Sequence, residues 1–192
     1  MQFFLLDPQD PFQRNEYERA FFQAFANLTS NRLVRKLWLW DDTKQTLRTR
    51  IPYDRQLIYA VRDSDGILDA ALAVNYKPSQ FQSAAFGFSP PASDRQYCEL
   101  INIFSLRNRH LHRLLQLLSY CFTDLRQQGC QSALGTTAER PLRSYLWAGA
   151  HLLAQTEIDG EKRYFFEFPE SALDRWARAD IDQCTRTVSR LK

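Results

Sequence analysis

The sequence predicts an α/β sandwich in which helices cover a central sheet that is mixed and partly antiparallel. Short apolar runs typical of strands alternate along the chain with longer segments whose apolar residues recur every three or four positions, as in amphipathic helices. Two pairs of predicted strands are joined by short turns that contain Asp-Gly, which is typical of antiparallel hairpins. This order of elements indicates helices packed against one shared sheet.

Length and composition favour one globular domain. The 192 residues are expected to form a core over about residues 2–168 and an extra C-terminal helix over about residues 171–190. A hydrophobic content of 44% and an aromatic content of 14% favour a folded chain over a disordered one. No apolar run approaches the roughly 18 residues that a membrane span needs, so no membrane association is expected. The N-terminus also lacks the basic start of a signal peptide.

Cysteine and charge content bear on compartment and partners. The four cysteines form no CxxC pair, so we expect reduced core residues of a cytoplasmic protein and no metal site. The net charge is only +3, and the twenty arginines among the 25 basic residues are spread along the chain. Because no nucleic-acid-binding motif is recognisable, no nucleic-acid partner is expected.

The N-terminal part begins with a short strand at residues 2–6. Asp10 and Pro11 are typical of an N-cap followed by a proline in the first helical turn. Apolar spacings of three and four carry this helix to about Thr29. Residues 32–56 fit a second helix or, from their alternating leucines and tryptophans, a strand; we favour a short helix followed by irregular structure.

The middle of the chain predicts a hairpin and a central strand. Residues 57–61 and 67–76 form the two hairpin strands around an Asp-Gly turn. Residues 78–95 are rich in proline, serine and glutamine, and they are expected to form a long surface connection. The apolar run at residues 98–104 is the next strand.

The C-terminal part predicts two helices with a short strand between them. Helix 108–128 has one leucine-rich stripe and ends at Gly129. Strand 132–134 follows, and then a helix that carries Tyr145 and Gly149.

A second hairpin and a last helix complete the chain. The hairpin joins residues 152–157 to residues 163–168 around another Asp-Gly turn. The last helix is expected to start at a capping box formed by Ser171 and Asp174.

This order of elements resembles the GNAT superfamily of acyl-CoA N-acyltransferases. The first hairpin is similar to the family's second and third strands, and strand 98–104 with the helix after it is similar to the fourth strand and cofactor-binding helix. Tyr145 and Gly149 fit the family's Tyr-x-x-x-Gly element, in which the tyrosine often protonates the departing thiolate. The resemblance implies a three-layer sandwich whose central strand 98–104 splays from strand 132–134.

The turn after strand 98–104 departs from the family's pyrophosphate-binding pattern, Gln/Arg-x-x-Gly-x-Gly/Ala. Arg107 fits that pattern, whereas His110 and His112 replace the small residues that let phosphate oxygens approach backbone N–H groups. The histidines either add charge for a phosphate, mark a turn that has lost its ligand, or lie at the surface. The residues that the resemblance implies for co-substrate binding are Ile103, Phe104, Arg107, Asn108, Arg109, His110, Leu111 and His112.

The resemblance also implies direct attack of an amine on a thioester. Glu99 is the candidate general base, Tyr145 the candidate acid, and a backbone amide of the split strand the candidate oxyanion donor. Strand alternation predicts that Glu99 shares a face with Ile101 and Ile103, and lies opposite Leu100, Asn102 and Phe104. Glu99 is then either buried with a raised pKa, as a base requires, or in water past the strand end. The alternative roles are an edge carboxylate and a packing tyrosine.

Two functions follow from the resemblance. The first is an N-acyltransferase that moves an acyl group from acetyl-CoA, another acyl-CoA or an acyl carrier protein to a small-molecule amine. The second is a non-catalytic GNAT-like protein that binds a ligand or partner. The basic, glycine-poor turn would suit an acidic carrier protein; the two missing glycines favour the non-catalytic protein, and Tyr145 favours the enzyme.

Overall fold

The computed structural model describes residues 2–27, 32–76, 78–106 and 111–178. The elements in chain order are β1 (Gln2–Leu6), α1 (Pro11–Phe25), α2 (Arg32–Leu37), β2 (Leu39–Asp41), β3 (Thr46–Arg48), β4 (Gln56–Arg62), β5 (Leu68–Asn75), β6 (Tyr97–Ser105), α3 (Leu111–Gln127), β7 (Ser132–Thr137), α4 (Glu139–Trp147), β8 (His151–Ile158), β9 (Glu161–Phe168) and α5 (Glu170–Ala177).

A seven-stranded mixed sheet forms the middle layer, in the order β1-β4-β5-β6-β7-β9-β8. Neighbouring strands are antiparallel except β6 and β7, which are parallel. One apolar cluster joins the sheet to α3, α4 and α5, and a second joins its other side to α1 and α2. We call these two sides the α3 face and the α1 face. The predicted sandwich, with β6 at its centre, is confirmed.

The N-terminal prediction holds except between residues 38 and 56. The Asp10 carboxylate accepts a hydrogen bond of 2.9 Å from the Phe12 amide, as an N-cap does, and α1 ends at Phe25, somewhat earlier than predicted. The predicted short helix is α2. The predicted irregular structure is wrong, because β2 and β3 form a small hairpin. Its strands of three residues each are too short for their alternation to distinguish them from coil.

The segment predicted as a surface connection lies partly in the core. Residues Gln82–Phe86 form a short 3-10 helix, and Ser83, Phe86 and Phe88 are buried. Phe88 stacks on Phe165 of β9 with ring centroids 5.1 Å apart. The prolines and serines of this segment predict turns correctly, but they do not indicate which side of the chain is buried.

The end of α3 and the start of α5 show where local sequence signals succeed and where they fail. Gly129 adopts a φ of 83° just after α3, and the Cys130 amide donates to the Leu125 carbonyl at 2.9 Å, so the predicted glycine stop is confirmed. The predicted capping box at α5 is wrong. The helix begins one residue earlier, after Pro169, and Asp174 instead binds Arg126 with a distance of 2.7 Å between Oδ1 and Nε.

The described cysteines lie in the core, as predicted. Cys98, Cys121 and Cys130 are buried free thiols. The sulfur atoms of Cys98 and Cys130 are 3.0 Å apart, which places the end of α3 directly against the central strand. Cys184 and the remainder of the predicted C-terminal helix lie outside the described residues.

Candidate active site

The two parallel central strands separate halfway along their length. β6 and β7 pair only from Tyr97 with Ser132 to Leu100 with Gly135. Beyond that point residues 102–105 pair with β5 alone, and Thr136 and Thr137 pair with β9 alone. The predicted splay is therefore present, and it leaves one edge of β6 without a neighbouring strand inside the protein.

Two cavities meet at this gap. A mainly apolar cavity of about 340 Å³ lies mostly on the α3 face, between β6, α3 and α4, and the end of α1 also lines it. A smaller cavity of about 120 Å³ lies on the α1 face. The residues that line both cavities are Phe25, Ile103, Pro141 and Tyr145. A molecule on one face of the sheet can therefore meet a molecule on the other face at the gap.

Tyr145 is positioned at the gap by aromatic packing. Its ring stacks on Phe166 of β9 with centroids 4.5 Å apart and an interplanar angle of 20°. Burial raises the pKa of Tyr145 to about 12, so the phenol is protonated at neutral pH. Among the described residues its hydroxyl has no hydrogen-bond partner, which leaves the proton available to a ligand.

The Tyr-x-x-x-Gly spacing has a local structural cause. Gly149 adopts a φ of 98° directly after α4. The Ala150 amide donates to the Tyr145 carbonyl at 2.9 Å, and the Gly149 amide donates to the Leu146 carbonyl at 3.0 Å. These two bonds form a Schellman motif, in which the glycine follows the tyrosine by four residues. The glycine therefore ends the helix in the turn that carries Tyr145.

Replacing Gly149 with alanine should destabilise the protein by about 2 kcal/mol, because a left-handed conformation costs a non-glycine residue about 1–2 kcal/mol and the Arg175 side chain must move to admit the methyl group. An added Cβ would overlap Nη2 at the end of the Arg175 side chain. Gly160→Ala is the matched control, since Gly160 has a φ of 78° and open space around it. Urea unfolding of both variants separates the clash from the backbone strain. Equal losses would show that the Arg175 contact costs nothing.

Glu99 is buried on β6 and holds the 3-10 helix. Its carboxylate oxygens accept hydrogen bonds from the Gln82 amide at 2.7 Å and the Ser83 amide at 2.8 Å. Burial raises the pKa of Glu99, and these two hydrogen bonds oppose that rise. Glu99 is not among the described residues that line either cavity at the gap. Glu99 thus has the burial expected of a base, but its carboxylate oxygens accept hydrogen bonds from the 3-10 helix and do not face either cavity.

Gln82 connects Glu99 to the smaller cavity, which its side chain lines. Its Oε1 accepts a hydrogen bond of 2.9 Å from Nε1 of Trp38, and its Nε2 donates to the Ile101 carbonyl at 3.2 Å. Because Glu99 binds the Gln82 backbone, it fixes where this amide side chain lies.

A β-bulge in β6 changes which side chains reach the cavities. Ala73 pairs with Asn102 and Val74 with Leu100, so Ile101 is the extra residue. Ile101 packs in the core of the α1 face, and Asn102 points to that face as well, where its Nδ2 donates to the Tyr17 hydroxyl at 2.9 Å.

The bulge makes part of the predicted alternation wrong. Ile103 packs on the α3 face with Leu100, although it was expected to share a face with Glu99 and Ile101. Asn102 and Phe104 accordingly lie on the same face as Ile101, not opposite it. Two consecutive side chains on one face reverse the alternation of all residues that follow.

The candidate co-substrate residues are divided between described and undescribed parts of the chain. Ile103 and Phe104 line the larger cavity. Leu111 and His112 form the first turn of the α3 backbone. The other four candidates, Arg107, Asn108, Arg109 and His110, lie outside the described residues.

Arg113, which adds to the predicted basic character of this turn, is engaged within the protein. It forms an ion pair with Asp69 of β5, whose side chain is 1% exposed. The backbone carbonyl of Asp69 also accepts a hydrogen bond of 2.8 Å from the Leu106 amide. One residue therefore anchors the chain on both sides of the turn.

Sequence reasoning missed Arg163 and Asn102, which both line the smaller cavity. Arg163, the third residue of β9, is only 4% exposed. The sequence signal that could have identified Arg163 is its place in a predicted aromatic strand, where Tyr-Phe-Phe-Glu-Phe follows it directly. Such a residue is rarely fully buried without a specific role.

Other kinds of site find little support in the part of the chain that the structure describes. There, no group of three or more His, Cys, Asp or Glu side chains is placed to hold a metal ion. No described helix is both long enough and apolar enough to cross a membrane.

Comparison with known proteins gives a structural match without a sequence match. No protein-family model matches the sequence. No curated protein matches it either. Among solved structures, the chain is similar to TofI in a ternary complex with an inhibitor and MTA, with a TM-score of 0.65 and 16% identity over 91% of this chain and 97% of that one.

Two further similar structures are those of enzymes whose activity is known. BjaI, a CoA-dependent acyl-homoserine lactone synthase with SAM and isopentyl-CoA, has a TM-score of 0.66 and 13% identity over 92% of this chain and 88% of its own. FeeM, an N-acyl amino acid synthase from uncultured soil microbes, has a TM-score of 0.62 and 9% identity over 92% of this chain and 98% of its own. At these identities the likeness concerns the fold. Together with the splayed central strands, it shows that the chain has the GNAT fold, as its sequence predicted.

Proposed function

We propose that the protein is an N-acyltransferase that moves an acyl group from a thioester to a small-molecule amine. The observation that carries the proposal is the position of Tyr145, which lines the cavities on both faces of the sheet where β6 and β7 separate. Solved structures with this fold include a CoA-dependent acyl-homoserine lactone synthase and an N-acyl amino acid synthase, and both of those reactions form an amide.

The proposed reaction is a direct transfer. The thioester lies in the larger cavity with its carbonyl carbon in the gap, and the amine approaches from the smaller one. The amine nitrogen forms a bond to the carbonyl carbon while backbone N–H groups on the free edge of β6 stabilise the oxyanion. The carbon–sulfur bond then breaks, and the Tyr145 hydroxyl gives its proton to the departing sulfur.

The remaining proton leaves the amine nitrogen. Glu99 stays the proposed base, and because it lines neither cavity it would act through a bridging water. Its hydrogen bonds to the Gln82 and Ser83 amides also support a positioning role, in which Glu99 holds Gln82 at the cavity wall. A Glu99→Gln variant separates these roles, since loss of a base removes the acidic limb of the pH–rate profile and loss of positioning does not.

The donor is proposed to be an acyl-CoA, acetyl-CoA included, or an acyl group on an acyl carrier protein. The lining of the larger cavity is mostly apolar, from Ala24 and Phe25 to Leu118 and Ala148, which suits an acyl chain or the arm that carries it. We also propose a cytoplasmic location, because the described cysteines are all free thiols.

The experiment that tests the function combines binding and turnover. Thermal unfolding is followed with CoA, acetyl-CoA, octanoyl-CoA and an octanoylated acyl carrier protein, and thiol release is followed with a panel of amines. A donor at 100 times its Kd should add about 2.7 kcal/mol to the free energy of unfolding. Amine-dependent thiol release with a new amide in the mass spectrum supports the enzyme. Donor binding without turnover supports the alternative, a non-catalytic binding protein, which the engagement of the Glu99 carboxylate away from the gap favours.

Substitutions in the turn test how an anionic donor is held. If backbone amides bind the phosphates, replacing His110 and His112 together with glycine should tighten CoA binding, since the amides become accessible. If side chains bind them, replacing Arg107 and Arg109 together with alanine should weaken binding, and more so at low salt. Calorimetric titration at two salt concentrations measures both. If neither double variant changes the binding of any CoA or carrier ligand, the non-catalytic protein is favoured.

A further inference from the structure

The smaller cavity has an unusual charge distribution. Arg163 is the one charged side chain among the described residues that line it, and no acidic side chain is among them. The other polar side chains in the lining are uncharged, and they are those of Trp38, Gln82, Asn102, Thr136, Thr137 and Tyr145. A cavity with one cation and no carboxylate favours an anionic ligand over a cationic one.

Arg163 is held at the cavity wall by its neighbours. Its Cζ lies 5.3 Å from the centroid of the Phe86 ring, which lines the same cavity. Its Nη2 lies 3.5 Å from Oε2 of Glu161, and Glu161 also accepts a hydrogen bond of 2.6 Å from the Arg32 amide. Burial lowers the pKa of Arg163, so the charged form would gain from an anion that enters the cavity.

The start of α4 adds to this positive potential. Ala138 and Pro141 line the cavity, and Ala138 is the N-cap of α4 without a side-chain hydrogen bond to the helix. Unsatisfied N–H groups at a helix N-terminus carry partial positive charge, which the exposed carboxylate of Glu139 in the first turn offsets in part. The arginine and the helix end therefore act on the same small volume, next to Tyr145.

We propose that Arg163 binds the carboxylate of the amine acceptor, so that the acceptors are amino acids or other amines that carry a carboxylate. The inference rests on the proposed function, because it assigns the smaller cavity to the acceptor. A guanidinium presents two parallel N–H groups that match a carboxylate. With the carboxylate at Arg163, the amine of the same molecule lies in the cavity that Tyr145 also lines, which is where the thioester carbon is attacked.

The experiment compares acceptors that differ only in the carboxylate, namely phenylalanine with 2-phenylethylamine and leucine with isopentylamine. In the wild-type protein kcat/KM should be at least about 10²-fold higher for the amino acid, because only its carboxylate can accept charge-assisted hydrogen bonds from the guanidinium. Arg163→Met should abolish this preference by raising KM for the amino acid, and Arg163→Lys should restore part of it. Lys162→Met is the matched control, since Lys162 is the exposed neighbour on the same strand.

A binding measurement keeps the inference testable without turnover. N-octanoyl-phenylalanine and N-octanoyl-2-phenylethylamine are titrated into the wild type, Arg163→Met and Lys162→Met, and circular dichroism checks that each variant is folded. At least tenfold weaker binding of the carboxylate compound to Arg163→Met alone supports the inference, even if no acyl transfer occurs and the proposed function fails. Transfer to both amines with equal efficiency overturns the inference and leaves the function standing. If the protein shows no acyl transfer and no carboxylate-dependent binding, both the inference and the proposed function are overturned.

Discussion

Replacing Tyr145 with phenylalanine is expected to lower kcat by about 10²-fold or more while the Kd of the donor stays unchanged, since positioned acids contribute about 10²–10⁴-fold. Phenylalanine keeps the ring that stacks on Phe166 at 4.5 Å and removes only the hydroxyl. The donor cavity keeps its shape, so the loss would be in proton transfer to the departing sulfur. Steady-state kinetics and calorimetric titration of the donor measure the two quantities.

The loss of kcat in the Tyr145→Phe variant should be the same at every pH from 6 to 10. Because burial raises the pKa of Tyr145 to about 12, the phenol stays protonated from pH 6 to pH 10. An acid that stays protonated contributes equally across that range, so the ratio of wild-type to variant kcat should be constant. A ratio that falls as the pH rises would mean that the hydroxyl ionises at a lower pH than its burial predicts.

Tyr120→Phe is the control for removal of a phenol. Tyr120 of α3 packs against Phe3 and Tyr59 with centroids 5.8 Å from each, and it lines neither cavity at the gap. Its kcat should equal that of the wild type. Equal activity of the Tyr145 variant would end the proposed acid role and leave the fold untouched.

Replacing Arg113 with methionine is expected to lower the free energy of unfolding by about 3 kcal/mol, because it takes a counter-charge away from a carboxylate that lies out of water. The Arg113 and Asp69 side chains are 20% and 1% exposed. Methionine keeps most of the aliphatic packing of arginine, so the loss reports the charge. Urea unfolding at pH 7 measures it.

Two variants control this measurement. Adding Asp69→Asn to the Arg113 variant should restore part of the stability, because the buried charge is then removed. Lys44→Met breaks an ion pair with Asp41 whose side chains are 77% and 41% exposed, and it should cost no more than about 1 kcal/mol. If the Arg113 variant loses as little as the Lys44 variant, the pair with Asp69 does not stabilise the start of α3.

The sequence predicted the regular elements where a strong local pattern covers enough residues. The stripe of α3 and the Asp-Gly turn at residues 159–160, whose φ values of 53° and 78° are both positive, are two such cases. Prediction failed where the pattern covered few residues or did not indicate which side of the segment is buried. The β2–β3 hairpin has three residues in each strand, and the core position of Phe88 depends on Phe165, which is distant in the sequence.

In the candidate site, local sequence determined the helix that carries Tyr145 and its end at Gly149, because a Schellman motif depends only on residues within one turn. The tertiary structure alone decided what surrounds that tyrosine. A bulge at Ile101 turned Asn102 to the α1 face, and the 3-10 helix engaged the carboxylate of Glu99. Arg163 became part of a cavity because β9 lies two strands from β6 across the gap. Such juxtapositions depend on strand register and on which segments cover each face, and these arise from packing between residues far apart in the chain.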